Sequence, residues 1–205
     1  MSFINTEKLI SPQEECQHLL FNFNAFNDVS SSMLLEKLES AGILKEPETL
    51  SRGERIISPG EMERHIYFIE DGAMRIFFVH EDEEYITRLA YSGDIITALD
   101  SFITKKPTEF YIEAIRTTTV RKATVEDYLG LMKTDAEMLE MWDFMLGQLV
   151  TQQMERERDL LIPSPAVRYE RVVARSPKLF QEVPLKYIAS YLRMTPETLS
   201  RILKS

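Results

Sequence analysis

Between Ile43 and Val125 the apolar residues come in runs too short for helices, and turn residues cut the runs at close intervals. ERII, IYFIE, MRIFFV, YITRLA, DIITAL, FYIEAI and VRKATV are rich in Ile, Phe, Tyr and Val, which suit a pleated, half-buried surface. Ser58-Pro59-Gly60, Asp71-Gly72, Glu81-Asp82-Glu83, Ser92-Gly93-Asp94 and Lys105-Lys106-Pro107 separate them. Short strands spaced in this way indicate a sandwich or a barrel. Asp71-Gly72 joins two such runs with residues that tolerate positive φ, so a tight β-hairpin is expected there. Upstream, Ser30, Ser31 and Ser32 can cap a short helix over MLLEKLES, which Gly42 stops.

At Val125 the period becomes helical. A short helix is expected over 125–133 and a long one over Ala136–Leu161. The apolar residues of the long one, from Met138 and Leu139 through Trp142 and Met145 to Val150, recur in steps of three and four. Such a helix spans roughly 39 Å at 1.5 Å per residue. It can lie across the β domain as a core helix, or serve as the seam of a dimer with Leu139, Trp142, Met145, Leu146 and Leu149 at the interface. Both can hold on different faces. After Met154 the face turns to the charged ERERD. Ile162-Pro163-Ser164-Pro165 ends the helix, because proline lacks the backbone N–H and restricts its neighbour. The expected organisation is α+β: a β domain with flanking helices over 1–134, the long helix over 135–162, and a C-terminal unit over 163–205.

The chain of 205 residues has room for one large domain or two smaller ones. A single cysteine, Cys16, makes an internal disulfide or a four-cysteine cluster impossible. His18, His65 and His80 lack the spacing of a zinc site, so no metal and no cofactor is expected. No stretch of about eighteen apolar residues suggests a membrane span. The N-terminus does not read as a secretory signal, which makes the cytoplasm the expected location. The net charge of −9 argues against nucleic acid only while the chain is treated as one body. From Ala166 onward there are eight basic and three acidic residues, a net +5 that leaves −14 on the rest. A basic end on an acidic body suits a module that faces phosphate, although a solvated helical surface would look similar.

The last stretch, VPLKYIASYLRMTPETLSRILKS, reads as two short helices over 184–192 and 196–203. Small Ala189 lets them approach, and Arg193, Met194 and Thr195 form the connection, as in a helix-turn-helix. Thr195 can cap the second helix, Pro196 suits its first position, and Glu197 favours its positive end. Away from its apolar side this helix offers Glu197, Thr198, Ser200, Arg201 and Lys204. Arginine can make a bidentate contact to guanine, glutamate can accept from cytosine, and hydroxyls can reach phosphates. With Thr195 and Pro196 these are the expected DNA-binding residues. An arbitrary helical hairpin would share much of the pattern.

The order of elements resembles the cyclic-AMP receptor protein / fumarate-nitrate regulator (Crp/Fnr) family. IASYLRMTPETLSRILK is similar to that family's helix-turn-helix, while SPGEMERHIYFIEDGAMRIFF and YSGDIITALDSF resemble its β-roll. The resemblance covers about 43–204. It implies a double-stranded β-roll (jelly roll) sensor domain, a long dimerisation helix and a C-terminal helix-turn-helix. It further implies a homodimer reading a palindrome in double-stranded DNA, an unknown small-molecule effector, and RNA polymerase as a further partner. Its effector pocket would fall at Thr97, Ala98, Leu99, Asp100, Ser101, Thr108 and Glu109.

Two departures stand out. Members that bind cyclic AMP carry a glutamate for the ribose and an arginine for the phosphate. Those positions fall at Ala98 and at Thr108 or Glu109. Asp94, Asp100 and Glu109 would put negative charge near a phosphate, and an unpaired buried phosphate is costly. Cyclic AMP is therefore not expected in the usual mode. The second departure is Arg193, which stands where the family often has a glycine in the left-handed conformation. With two residues after Leu203, no β-wing is expected to follow. A sensor acting through protein partners, with lost DNA binding, is the alternative. A cupin-type enzyme would want clustered histidines and carboxylates, and the spacing offers neither these nor a nucleophile–base pair.

Overall fold

The computed structural model describes residues 33–134 and 136–204, and Cys16, His18 and the expected serine cap at 30–32 lie outside them. Among the described residues the β domain has eight strands: β1 (Glu48–Leu50), β2 (Arg55–Ile57), β3 (His65–Asp71), β4 (Ala73–His80), β5 (Glu83–Tyr91), β6 (Ile95–Ile96), β7 (Tyr111–Ala114) and β8 (Thr118–Thr124). They form two antiparallel sheets, ordered β1-β8-β3-β6 and β2-β7-β4-β5. The helices are α1 (33–40), α2 (Leu99–Thr104), α3 (Val125–Met132), α4 (Ala136–Leu161), α5 (Pro165–Arg175), α6 (Leu179–Glu182), α7 (Leu185–Tyr191) and α8 (Pro196–Ile202). The α+β architecture expected from the sequence is the one observed, and the long helix has the expected bounds.

Side-chain alternation along β3 divides the interior. Tyr67 and Ile69 point between the sheets, where they meet Met74 and Ile76 of β4 and Ile112 of β7. Ile66 and Phe68 point the other way, into a second core with Leu34 and Leu38 of α1, Tyr128 of α3 and Met138 of α4. A strand buried on both faces reads as a continuous apolar run, which is how IYFIE reads. The third core lies under the C-terminal helices. Ile188, Ala189 and Leu192 join Leu199 of α8 and Val172 of α5 there, together with Ala73 and Ile115 of the β domain.

The hairpin expected at Asp71-Gly72 is not formed. β3 and β4 belong to different sheets, and Gly72 is the corner at which the chain crosses between them. Its φ is 109°, and a Cβ there would run into the backbone and side chain of Thr118. That close approach is used: the Thr118 hydroxyl accepts from the Ala73 amide at 3.2 Å and donates to the Arg116 carbonyl at 2.9 Å. Positive φ suits a sheet-to-sheet corner as well as a hairpin, so the dipeptide alone did not distinguish them. The tight hairpin joins β4 to β5 instead, with His80 paired to Glu83 and positive φ at both Glu81 and Asp82. Such a turn matches the twist of its strands.

The C-terminal helices dock on the second sheet. Half-buried Leu89 and Tyr91 of β5 pack into their core. Arg75 of β4, 7% exposed, bonds to Glu113 at 2.8 Å and to Glu84, with its guanidinium 4.1 Å from the Phe77 ring and 5.1 Å from the Tyr187 ring of α7. Burial works to lower the Arg75 pKa, and the bonds to Glu84 and Glu113 outweigh it, leaving the pKa raised. Arg116 pairs with Glu182, and the Arg193 guanidinium lies 4.5 Å from the Tyr85 ring.

Gly72→Ala should destabilise the fold by about 2 kcal/mol or more, since it combines an unfavourable φ with a steric overlap against backbone. Urea denaturation would show this as a lower midpoint at unchanged slope.

Candidate effector cavity and nucleic-acid interface

A cavity of about 180 Å³ lies between the β domain and α4. One end is aromatic. Trp142 of α4 meets the Phe102 ring at 6.1 Å and the Tyr128 ring at 5.9 Å, and the Tyr128 hydroxyl lies 3.9 Å from the Met145 sulfur. Burial pushes the Tyr128 pKa up, so the phenol stays neutral. Leu146 and Leu149 continue the lining along α4. At the other end Arg88 of β5 donates to the Gln152 amide oxygen at 3.3 Å, beside Gln148, whose buried Oε1 has no partner. Ten residues of helix separate Trp142 from Gln152, about 15 Å at the α-helical rise. The site is a cleft with an apolar and a polar end.

Of the pocket residues expected from the sequence, Thr97 and Leu99 line this cavity. Ala98, Asp100, Ser101, Thr108 and Glu109 do not line it, because they are tied into a closed knot of hydrogen bonds. Asp100 accepts from the Thr108 hydroxyl at 2.8 Å and from the Glu109 amide at 3.0 Å. Glu63, 8% exposed, accepts from the amides of Arg64, His65 and Ala98, and its own amide donates to the Ser101 hydroxyl. Two carboxylates of the chain therefore occupy amides that an anion could otherwise have used. Sequence reasoning missed Glu63, Arg88, Gln148 and Gln152. Glu63 and Arg88 gain their roles from residues more than thirty positions away, and no local signal marks them.

The expected seam of α4 divides between two faces. Trp142 and Met145 pack on the second core, and Leu149 joins them in lining the cavity, so these three face the β domain. Leu139, Val150, Met154 and Leu161 stand outward, 49%, 58%, 64% and 75% exposed. Leu146 lines the cavity and remains half-buried. The placement of Trp142, Met145 and Leu149 matches the core-helix side of the two readings that the sequence allows for this stripe. A stripe in steps of three and four marks an apolar face without saying what covers it.

The charged end of α4 is also turned inward. Asp159 is fully buried and pairs with Arg171 at 2.7 Å and Arg175 at 2.5 Å, both on α5, while Arg171 also reaches Glu155. Burial lowers the Arg156 pKa, and its guanidinium lies 3.7 Å from the Tyr191 ring of α7. Buried Arg168 donates to the carbonyls of Ile162, Pro163 and Arg193. Four cations of the basic segment thus serve the structure: Arg168, Arg171, Arg175 and Arg193. Helix α5 was not anticipated, although Ser164-Pro165 is its start signal: the Ser164 hydroxyl accepts from the Val167 amide and Pro165 takes the first turn.

Helices α7 and α8 meet across a tight turn. Arg193 has φ 54°, the left-handed conformation expected at that position, and the Met194 amide donates to the Ala189 carbonyl at 3.0 Å. Thr195 caps α8 by accepting from the Thr198 amide at 3.2 Å, with Pro196 in the first turn. Leu199 is buried, while Thr195, Pro196, Glu197, Ser200, Arg201 and Lys204 are exposed and Thr198 is half-buried. All seven expected DNA-contact residues therefore belong to α8 and its ends. The Glu197 pKa is lowered by its own backbone amide at the helix start, with the Thr195 hydroxyl and Arg201 adding to the effect. Its carboxylate is an acceptor at neutral pH.

The fold and its cleft define a protein with a cyclic nucleotide-binding domain followed by C-terminal helices. Residues 47–135 match the family model described as "Cyclic nucleotide-binding domain", and about four fifths of the chain shares the fold of solved Crp/Fnr proteins. It is similar to FixK2 from Bradyrhizobium japonicum, at 20% identity and TM-score 0.64 over 78% of this chain and 82% of that one. It is similar to the c-di-GMP-responsive global regulator CLP of Xanthomonas campestris, at 16% identity and TM-score 0.61, covering 84% and 90%. A protein from Eubacterium rectale described as a Crp/Fnr transcriptional regulator gives 15% identity and TM-score 0.59, covering 84% and 81%. No curated protein sequence matches the chain. Among the described residues there is no cluster able to hold a metal ion, and no helix is long and apolar enough to cross a membrane.

Asp159→Ala leaves two arginines without their buried anion and should cost on the order of 3 kcal/mol. Arg158→Ala, which removes an exposed partner of Glu155, should cost under about 1 kcal/mol. Chemical denaturation of the two variants side by side tests the contrast.

Proposed function

We propose that this protein is a DNA-binding transcription regulator, a homodimer that reads a palindrome in double-stranded DNA and is gated by a small molecule in the cavity beside α4. In this reading the chain comprises a sensor over 1–134, the long helix over 135–162 and a helix-turn-helix unit over 163–205. The observation that carries the reading is the outer face of α8. Glu197, Ser200, Arg201 and Lys204 are exposed together, while Leu199 of the same helix is buried. Such a helix enters the major groove with its polar face, and two copies reach successive grooves about 34 Å apart.

The outward residues Leu139, Val150, Met154 and Leu161 support a dimer seam along α4. They recur at spacings of four and seven or eleven, and so fall on one side of the helix. Cyclic AMP is not the effector in the usual mode, because Asp100 and Glu63 already hold the backbone amides of that segment. The structurally similar protein CLP is a c-di-GMP-responsive regulator, so an effector other than cyclic AMP has a precedent in this fold.

A second reading, a sensor that works through protein partners, is favoured by the internal engagement of Arg168, Arg171, Arg175 and Arg193. Mobility shift separates the two. The regulator binds a specific palindrome, and Arg201→Ala should cost about 1–3 kcal/mol and relax preference at one base position. Equal, non-specific binding by wild type and variant rejects the regulator reading. For the dimer, Val150→Glu should yield monomers in analytical ultracentrifugation, since it puts an unpaired charge in the seam.

A further inference from the structure

We infer that the cleft beside α4 takes a small amphiphilic carboxylic acid, with its apolar body against Phe102, Tyr128 and Trp142 and its carboxylate on Arg88. This rests on reading the cleft as the effector site and adds the chemical class of the effector.

Volume sets the first limit. At about 180 Å³ the cleft is little larger than the roughly 150 Å³ engineered cavity that accepts benzene. It suits an apolar body the size of one ring or a medium-length alkyl chain. The lining sets the second. The aromatic end has no charged group among Phe102, Tyr128, Trp142 and Met145, and burial keeps the Tyr128 phenol neutral. That end favours hydrocarbon.

The opposite end sets the head group. The hydrogen bond of Arg88 is a long one, 3.3 Å to the neutral Gln152 amide, and no carboxylate stands within ion-pair distance of it among the described residues. A guanidinium beside apolar surface is matched best by a carboxylate, which accepts from its planar fork. Gln148 lies beside Arg88, with a buried Oε1 that has no partner. Asp94 also lines the cleft, but its carboxylate is held by the Tyr91 amide at 2.9 Å. The backbone amides near Asp100 and Glu63 are already taken, so a phosphate would find Arg88 without the amide cradle that such a group favours.

Trp142 is the only tryptophan of the chain, so its emission reports on the cleft directly. The full-length protein is titrated with sodium octanoate, 1-octanol and cyclic AMP while Trp142 fluorescence is followed, and Arg88→Gln is titrated in the same way. Octanoate should saturate and bind at least about tenfold more tightly than octanol, as expected for one charge-assisted hydrogen-bonded contact. Arg88→Gln should remove that preference and leave octanol binding unchanged, which also shows that the variant is folded. Octanoate and octanol binding equally, a preference that survives Arg88→Gln, no saturable octanoate binding, or cyclic AMP displacing octanoate each overturn the inference. DNA binding is measured separately without ligand. Loss of the octanoate preference with specific DNA binding intact removes this inference alone, and octanoate binding without DNA binding supports it while removing the regulator reading.

Discussion

The guanidinium of Arg75 joins the two halves of the molecule. It lies inside the protein between the carboxylates of Glu113 and Glu84 and between the rings of Phe77 and Tyr187. Three of these groups come from the second sheet and one from α7. Desolvating a guanidinium costs several kcal/mol unless its partners are well placed, so the arrangement tolerates little displacement of α7 over β5. Apolar burial of Ile188, Ala189 and Ala73 supplies the attraction between the halves, and the polar contacts set its direction. Arg116 with Glu182 and Arg193 with Tyr85 add two further points of registration, so the orientation of α8 follows from the surface of the β domain.

Helix α4 divides its surface in a related way. Met138 and Met141 are buried in the second core, Trp142 and Met145 pack against it, and Leu139, Val150 and Met154 stand exposed on the opposite side. Near its end the helix changes solvent, and Asp159 enters a dry site that two arginines of α5 neutralise. The proline break at 162–164 lets the chain fold back far enough for those arginines to reach it. Hydrophobic contact thus holds the first half of the helix and ionic contact the last turns.

What could be read from the residues was whatever depends on near neighbours. The bounds of α4, the capped start of α8 and the left-handed turn at Arg193 all follow from local periodicity or local backbone chemistry. What could not be read depends on distant pairing. Asp71-Gly72 carries the same local preference at a hairpin and at a sheet-to-sheet corner, and only Thr118, more than forty residues on, decides between them. ERERD looks solvated until Arg171 and Arg175 are brought against it. The knot that Glu63 and Asp100 make around Ala98 and Thr108 was hidden for the same reason. The seven residues of α8 and its ends were legible because a short capped helix with one buried leucine has one exposed side.

The arginines that neutralise Asp159 and bridge the turn carbonyls have a consequence for how the molecule meets a polyanion. A cation already bound within the protein displaces no sodium or potassium from a nucleic-acid strand. A chain whose arginines are so engaged would bring few mobile counter-charges to such an encounter, and the entropy of ion release, which makes most such complexes fall apart as salt rises, would be small. Binding by this surface would fade only gently between dilute and physiological buffer, and would depend more on shape and base-edge contacts than on charge.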